Sequence, residues 1–450
     1  MSRPDDETNV SRRNALKVGG SALGGLALGT VPVAAGRSGR YLMQPKPKAN
    51  LRNLVVEEEL PGIEYVAVSG PKRAVRKQAT AYAPDPVLEL DIPEVNDRVP
   101  EDAAEEATDE PLYDYQWDKQ DLRVPEAQTV TRGEGVRVAI IDSGVAAEHP
   151  DLEGKVNLEL SKNFSGDGLG VGYPYGGYHG THVAGIVAAD DDNDVGVVGT
   201  APGAELVDCR VFPYGEGAPF SVVLAALLHS VEIASDVANM SLGAYAPRRD
   251  YVDDGRFGRF YGRALNKTLT YANREGTLVV MSAGNSAADL QHDKQWISLP
   301  NEGAKGMSIS ATGPIGFMWG EEGLEADFAS PAFYTNYGTN AIDLGAPGGD
   351  ADLQTEKPGW FYDLVLSTVA EFERDEEGEI TGDLTYDWDW AAGTSMAAPN
   401  VSGAAALVKA NNPEYNPAQV ESALKRAADV PEGYDKTYYG SGYLNVVDAL

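Results

Sequence analysis

Apolar residues in this chain come in two rhythms. Val136-Arg137-Val138-Ala139-Ile140-Ile141 is a nearly unbroken apolar run, the pattern of a strand buried on both faces of a parallel sheet. Similar runs recur at 204–211, 236–240, 277–281 and 307–310. Between them, 221–234 and 259–274 repeat apolar residues at helical spacing, and further helical patterns follow at 395–410 and 417–427. Alternation of strands and helices predicts an α/β fold with a central, mostly parallel sheet flanked by helices. Two stretches, 244–262 and 348–390, keep neither rhythm and read as loop-rich insertions.

Upstream the pattern changes. Residues 50–99 alternate in short runs such as Ile63-Glu64-Tyr65-Val66-Ala67-Val68, which fits a small α+β module. Residues 101–110 hold six acids in ten positions, too polar to bury apolar surface, and read as an exposed linker. The chain opens with Ser11-Arg12-Arg13-Asn14-Ala15-Leu16-Lys17, followed by an apolar, Gly/Ala-rich stretch over 18–31. That stretch is too short to span a bilayer core of ~30 Å at ~1.5 Å per residue. With the small residues Val33-Ala34-Ala35 it describes a cleavable export signal. The paired arginines resemble a twin-arginine signal, although Ala15 stands where that motif usually carries a large apolar residue. The expected organisation is a signal over 1–36, a small module over 37–100, an acidic linker over 101–112 and a large α/β domain over 113–450.

Charge narrows the choice of partners. The chain carries 36 Lys+Arg against 69 Asp+Glu, a net charge of −33. Residues 1–100 contribute +2 (14 basic, 12 acidic), so the other 350 residues carry −35. A surface this acidic argues against nucleic acid or an anionic membrane as partner, since both are polyanions. It suits hydration in high salt, where screening removes most of the self-repulsion. The lone cysteine, Cys209, excludes an intramolecular disulfide and sits in an apolar run as a buried strand residue. A metal is then the expected alternative source of added stability in an exported protein.

Three residues at the edges of the predicted elements carry chemistry. Asp142 ends the strand in Ile140-Ile141-Asp142-Ser143-Gly144. His179 opens a helix in His179-Gly180-Thr181-His182-Val183-Ala184-Gly185, and Ser395 precedes another in Gly393-Thr394-Ser395-Met396-Ala397-Ala398-Pro399. A serine hydroxyl is a weak nucleophile that needs a base, and the base needs an orienting anion. A helix N-terminus also aims N–H groups at a developing oxyanion. In order and context these motifs resemble the subtilisin-like serine proteases, the subtilase family, over about residues 113–450, and more narrowly its haloarchaeal, halolysin-like secreted members.

The resemblance implies a subtilisin-like fold and a secreted serine endopeptidase. Ser395 is then the nucleophile, His179 the general base and Asp142 the group that fixes its tautomer. Asn285, in Val280-Met281-Ser282-Ala283-Gly284-Asn285, would donate to the oxyanion beside the Ser395 N–H. His182 is expected to be structural, and His149, His229 and His292 bystanders. Ser241, Leu242 and Gly243 resemble one edge of the substrate groove and the region of Gly215 the other. Peptides would bind there by strand addition with broad specificity. The acidic loop at 190–197 resembles the family's calcium site, with Asn193, Asp151 and Gln116 as ligands; zinc has no matching Cys/His cluster. The module at 37–100 would be a propeptide that inhibits its own enzyme until cleavage in the linker, and the mature form a monomer. Two rival readings remain: a groove that binds peptides without cutting them, and an esterase. Ser395 lacks the Gly-x-Ser-x-Gly context of the α/β-hydrolase elbow.

Overall fold

The computed structural model describes residues 39–90, 111–247, 257–293, 296–319, 323–352, 359–375 and 377–450. The export signal and residues 101–110 of the linker lie outside them. A seven-stranded sheet runs Leu344–Pro347, Met307–Thr312, Leu278–Ser282, Val237–Met240, Arg137–Asp142, Glu205–Arg210, Lys162–Asn163, with neighbours parallel throughout. Five of these strands match the expected apolar runs to within two residues. The two edge strands are too short to give a readable run.

The pleat explains why the runs are continuous, since successive side chains enter different cores. Val138 and Ile140 pack with helices His179–Ala188, Thr394–Asn411 and Pro417–Ala427. Ala139 and Ile141 pack on the other face with Phe220–Glu232 and Phe257–Glu275. Both faces are therefore covered by helices, as the α/β reading required.

Residues 39–90 form an antiparallel sheet ordered Val55–Leu60, Tyr65–Ser69, Arg40–Pro45, Ala79–Pro84, with helix Lys72–Gln78. One face encloses a small core of Met43, Val66, Val68, Val75 and Ala79. The other face, with Leu42, Leu60, Ile63 and Ala83, joins the second core of the large domain. A module this small gains much of its buried surface from that docking.

The 348–390 stretch departs from the loop-rich expectation. Much of it is a long hairpin pairing Val365–Arg374 with Ile380–Ala391. Along Ile380–Ala391 exposed and part-buried positions alternate, and the sequence from Asp383 to Trp390 alternates polar and apolar residues in step, a strand rhythm the loop-rich reading passed over. The 244–262 stretch opens with strand Ala244–Pro247, paired to Trp296–Leu299, and ends inside helix Phe257–Glu275; residues 248–256 lie outside the described residues.

Candidate active site

Parallel strands deliver their last residues to one edge of the sheet, where ligand sites form in such folds. Asp142 closes its strand there, fully buried. Its Oδ1 accepts from Nδ1 of His179 at 2.8 Å and from the Ser143 N–H at 2.7 Å. The carboxylate thus fixes the imidazole with Nδ1 protonated, leaving Nε2 as the basic nitrogen. His179 sits in the first turn of its helix, held by the Ser143 hydroxyl, which accepts from the Gly180 N–H at 2.9 Å and donates to the Gly177 carbonyl at 2.9 Å.

Ser395 opens helix Thr394–Asn411 and is 4% exposed. Its hydroxyl donates to the Ser241 carbonyl at 3.3 Å, so in this resting arrangement it is turned toward the groove edge. A chain of hydrogen bonds fixes the backbone beneath it. Ser402 Oγ donates to Asn239 Oδ1 (2.9 Å), Asn239 Nδ2 to Ser241 Oγ (2.9 Å), and Ser241 Oγ to the Ser395 carbonyl (2.8 Å).

Asn285 follows strand Leu278–Ser282 and is buried. Its Oδ1 accepts from the Thr394 N–H at 2.9 Å and the Thr394 hydroxyl at 2.8 Å. Those two donors set the amide so that Nδ2 is the end turned toward Gly393. A Cβ added to Gly393 would stand 3.5 Å from Asn285 Nδ2 and 3.5 Å from the Ser395 nitrogen. The two N–H donors therefore border the same small space beside Gly393, where they could meet one developing oxyanion.

The two segments expected to edge a groove both pair with the N-terminal module. Leu242 is buried, and Gly243 is bridged antiparallel to Glu89. Opposite it, Ala218–Pro219 pairs antiparallel with Val87–Leu88, and Gly215 (φ +66°) forms the turn leading to that edge. A segment of the N-terminal module thus lies as an extra strand between both edges, with Leu88 fully buried.

The remaining histidines do not join this centre. His182 is buried and pushed down to about 3 by desolvation; its Nε2 lies 3.1 Å from the Asp389 carbonyl. His229 bonds the Leu160 carbonyl at 2.8 Å, and His292 pairs with Asp289 on the surface. Cys209 is fully buried and its thiol is pushed up by burial, so it is no nucleophile. His149, expected to be a bystander, bonds the Asp387 carbonyl at 3.0 Å through Nε2 and the Asp151 N–H at 3.2 Å through Nδ1.

The three expected calcium ligands only partly converge. Asp151 and Asn193 meet at 3.1 Å, with the Asn193 amide nitrogen donating. Gln116 instead spends both ends of its amide on the backbone of Val198, at 3.0 and 2.7 Å. The indole N–H of Trp388 donates to Asp151 Oδ2 at 2.6 Å. Calcium asks for six to eight oxygen ligands, and an indole N–H can only donate, so this arrangement does not fit the ion. Among the described residues, no group of three or more His, Cys, Asp and Glu stands ready for a metal.

Sequence reasoning missed Thr394, Asn239 and Ser402. Each acts by orienting a neighbour across the fold, and linear spacing carries no signal for that.

A buried Asp–His pair, a serine at a helix start and two N–H donors around an open space define a serine peptidase. The chain belongs to the subtilase family, whose sequence profile matches residues 133–442. It is 32% identical over 319 residues to subtilisin Savinase of Lederbergia lenta, covering 70% of this chain and 90% of that protein. Thermitase of Thermoactinomyces vulgaris is 26% identical over 338 residues, covering 74% and 95%. Among solved structures, the epidermin leader peptide processing serine protease of Staphylococcus aureus superposes with a TM-score of 0.68 at 20% identity, covering 91% of this chain and 97% of that one, a likeness of fold. Among the described residues no helix is long and apolar enough to cross a membrane.

Proposed function

We propose that this subtilase-family protease is a secreted endopeptidase made as a self-inhibited precursor, with Asp142, His179, Ser395 and Asn285 as its working groups. In the reaction, Ser395 Oγ turns from the Ser241 carbonyl to His179, gives its proton to Nε2 and attacks the peptide carbonyl carbon. The carbonyl oxygen gains the electron pair and is met by the N–H of Ser395 and Asn285 Nδ2. Asp142 stabilises the imidazolium through Nδ1. His179 then protonates the leaving amine, and water, activated by the same imidazole, releases the acid and restores the hydroxyl. No step calls on a metal.

The observation that carries the reading is the strand Val87–Leu88 against Ala218–Pro219, with Glu89 bridged to Gly243. Strand addition between two groove edges is how an extended peptide substrate would be held, and the module occupies that place. Because main-chain bonds supply much of such binding, broad specificity follows. The twin-arginine signal, which exports folded proteins, and the acidic, salt-adapted surface extend the proposal to an extracellular, high-salt setting with peptides and proteins as substrates, and with the enzyme acting as a monomer.

The test is an intact-mass time course of the precursor lacking residues 1–36, with Ser395→Ala run beside it. Loss of the N-terminal module from the active chain alone is the expected result. If neither chain is cut and added peptide stays whole, the groove binds peptides without cleaving them.

A further inference from the structure

Loop 190–197 carries four acids that invite a cation, and the two at its start already have cationic partners. Asp190 pairs with Lys155 at 3.1 Å, and Asp191 pairs with Arg132. At the centre lies Asp151, its side chain buried on the short turn Pro150–Leu152. Its Oδ2 accepts from the Val197 N–H at 3.0 Å and from Trp388 Nε1 at 2.6 Å, and its Oδ1 accepts from Asn193 Nδ2 at 3.1 Å. Asn193 Oδ1 is in turn held by the Val195 N–H at 2.9 Å. The Gln116 amide is matched donor to acceptor with Val198, so reversing it would set oxygen against oxygen.

The indole reaches the carboxylate only because the chain between them is bare. Gly196 adopts φ +70°, and a Cβ there would collide with both Trp388 Nε1 and Asp151 Oδ2. The hairpin strand that carries Trp388 is pinned from below as well. His149 Nε2 donates to the Asp387 carbonyl at 3.0 Å, and its ring meets Trp388 edge-on at 5.2 Å and Tyr386 at 5.7 Å.

We infer that the Trp388 indole takes the place of a bound cation at Asp151, satisfying the buried carboxylate and clasping loop 190–197 to hairpin 365–391. The stability of this loop is then independent of calcium. A buried carboxylate needs donors or a cation, and here three N–H groups supply what the ion would.

Full-length protein carrying Ser395→Ala, which cannot digest itself, serves as the parent. Melting is followed in millimolar calcium and in excess chelator for this parent, for added Asp151→Asn and for added Trp388→Phe. The calcium-dependent shift is expected to be equal in the parent and in Asp151→Asn. Trp388→Phe, which removes the N–H and keeps most of the ring, is expected to lower the midpoint by at least ~2 °C in both media. A calcium shift larger in the parent than in Asp151→Asn, or a Trp388→Phe protein that melts with the parent, overturns the inference. Terbium gives a second readout that does not depend on Asp151→Asn folding. Emission sensitised by tryptophan is expected to be the same in the parent and in Trp388→Phe, and emission lost with Trp388 would place an ion beside it.

Discussion

Asp85 offers a direct measure of how the N-terminal module is held. It is fully buried where the module meets the first turn of helix Phe220–Glu232. Its Oδ1 accepts from the Ser221 N–H at 3.0 Å, and its Oδ2 from the Ser221 hydroxyl at 2.5 Å and Arg40 Nε at 2.8 Å. The carboxylate therefore caps a helix of the large domain and is paired within its own module. Asp85→Ala leaves the buried Ser221 N–H without its acceptor and takes from the Arg40 guanidinium its buried anion, leaving it the Ser221 hydroxyl at 2.9 Å. Breaking a buried pair by removing one partner costs about 3–5 kcal/mol. Arg40 keeps Glu57 at 3.2 Å and is itself 13% exposed, which points to the lower end. A loss of about 3 kcal/mol is about 10²-fold in affinity. The assay is the inhibition constant of the module, supplied in trans, against the processed enzyme. Asp85→Asn, which keeps an acceptor for the Ser221 N–H, is expected to fall between wild type and Asp85→Ala. Inhibition within about threefold of wild type for Asp85→Ala would refute the view that this buried contact dominates docking.

Two further outcomes follow from the site and its surroundings. Asn285→Ala is expected to lower kcat by about 10²–10³, the range known for removing this type of donor from subtilisin, with KM little changed; Thr394→Val, which loses one of the two bonds that set the amide, should cost less, and both are read from steady-state kinetics. Asp208 is buried beside the Asp142 strand and desolvation pushes its carboxyl up to about 7, against the pull of the Gly172 N–H and Arg210. A folded value raised above the unfolded one gives stability that is present at low pH and lost as pH rises from about 4 through about 7. Asp208→Asn should therefore raise the melting temperature relative to wild type more at pH 8 than at pH 5, and an equal change at both would count against the shift.

The sequence by itself determined the parts that local physics writes into the chain. Runs buried on both faces must be continuous, so the inner strands of the sheet were legible, and so were the helices at 221–234, 259–274, 395–410 and 417–427. Asp142, His179, Ser395 and Asn285 stood out as candidates because each sits at a strand or helix end within a dense local motif. The second strand of the hairpin Val365–Arg374 with Ile380–Ala391 was also readable, since polar and apolar residues alternate from Asp383 to Trp390; what its inward side chains cover, Trp388 among them, was not. Only the tertiary structure turned the Asn285 amide, through Thr394, and set Asp85 on a helix of the other module. It also brought the Trp388 indole to Asp151, 237 residues away in sequence, where a local reading of the loop had supplied a cation. A polar group's partner is chosen by the fold, since any donor delivered to a buried carboxylate removes its need for another.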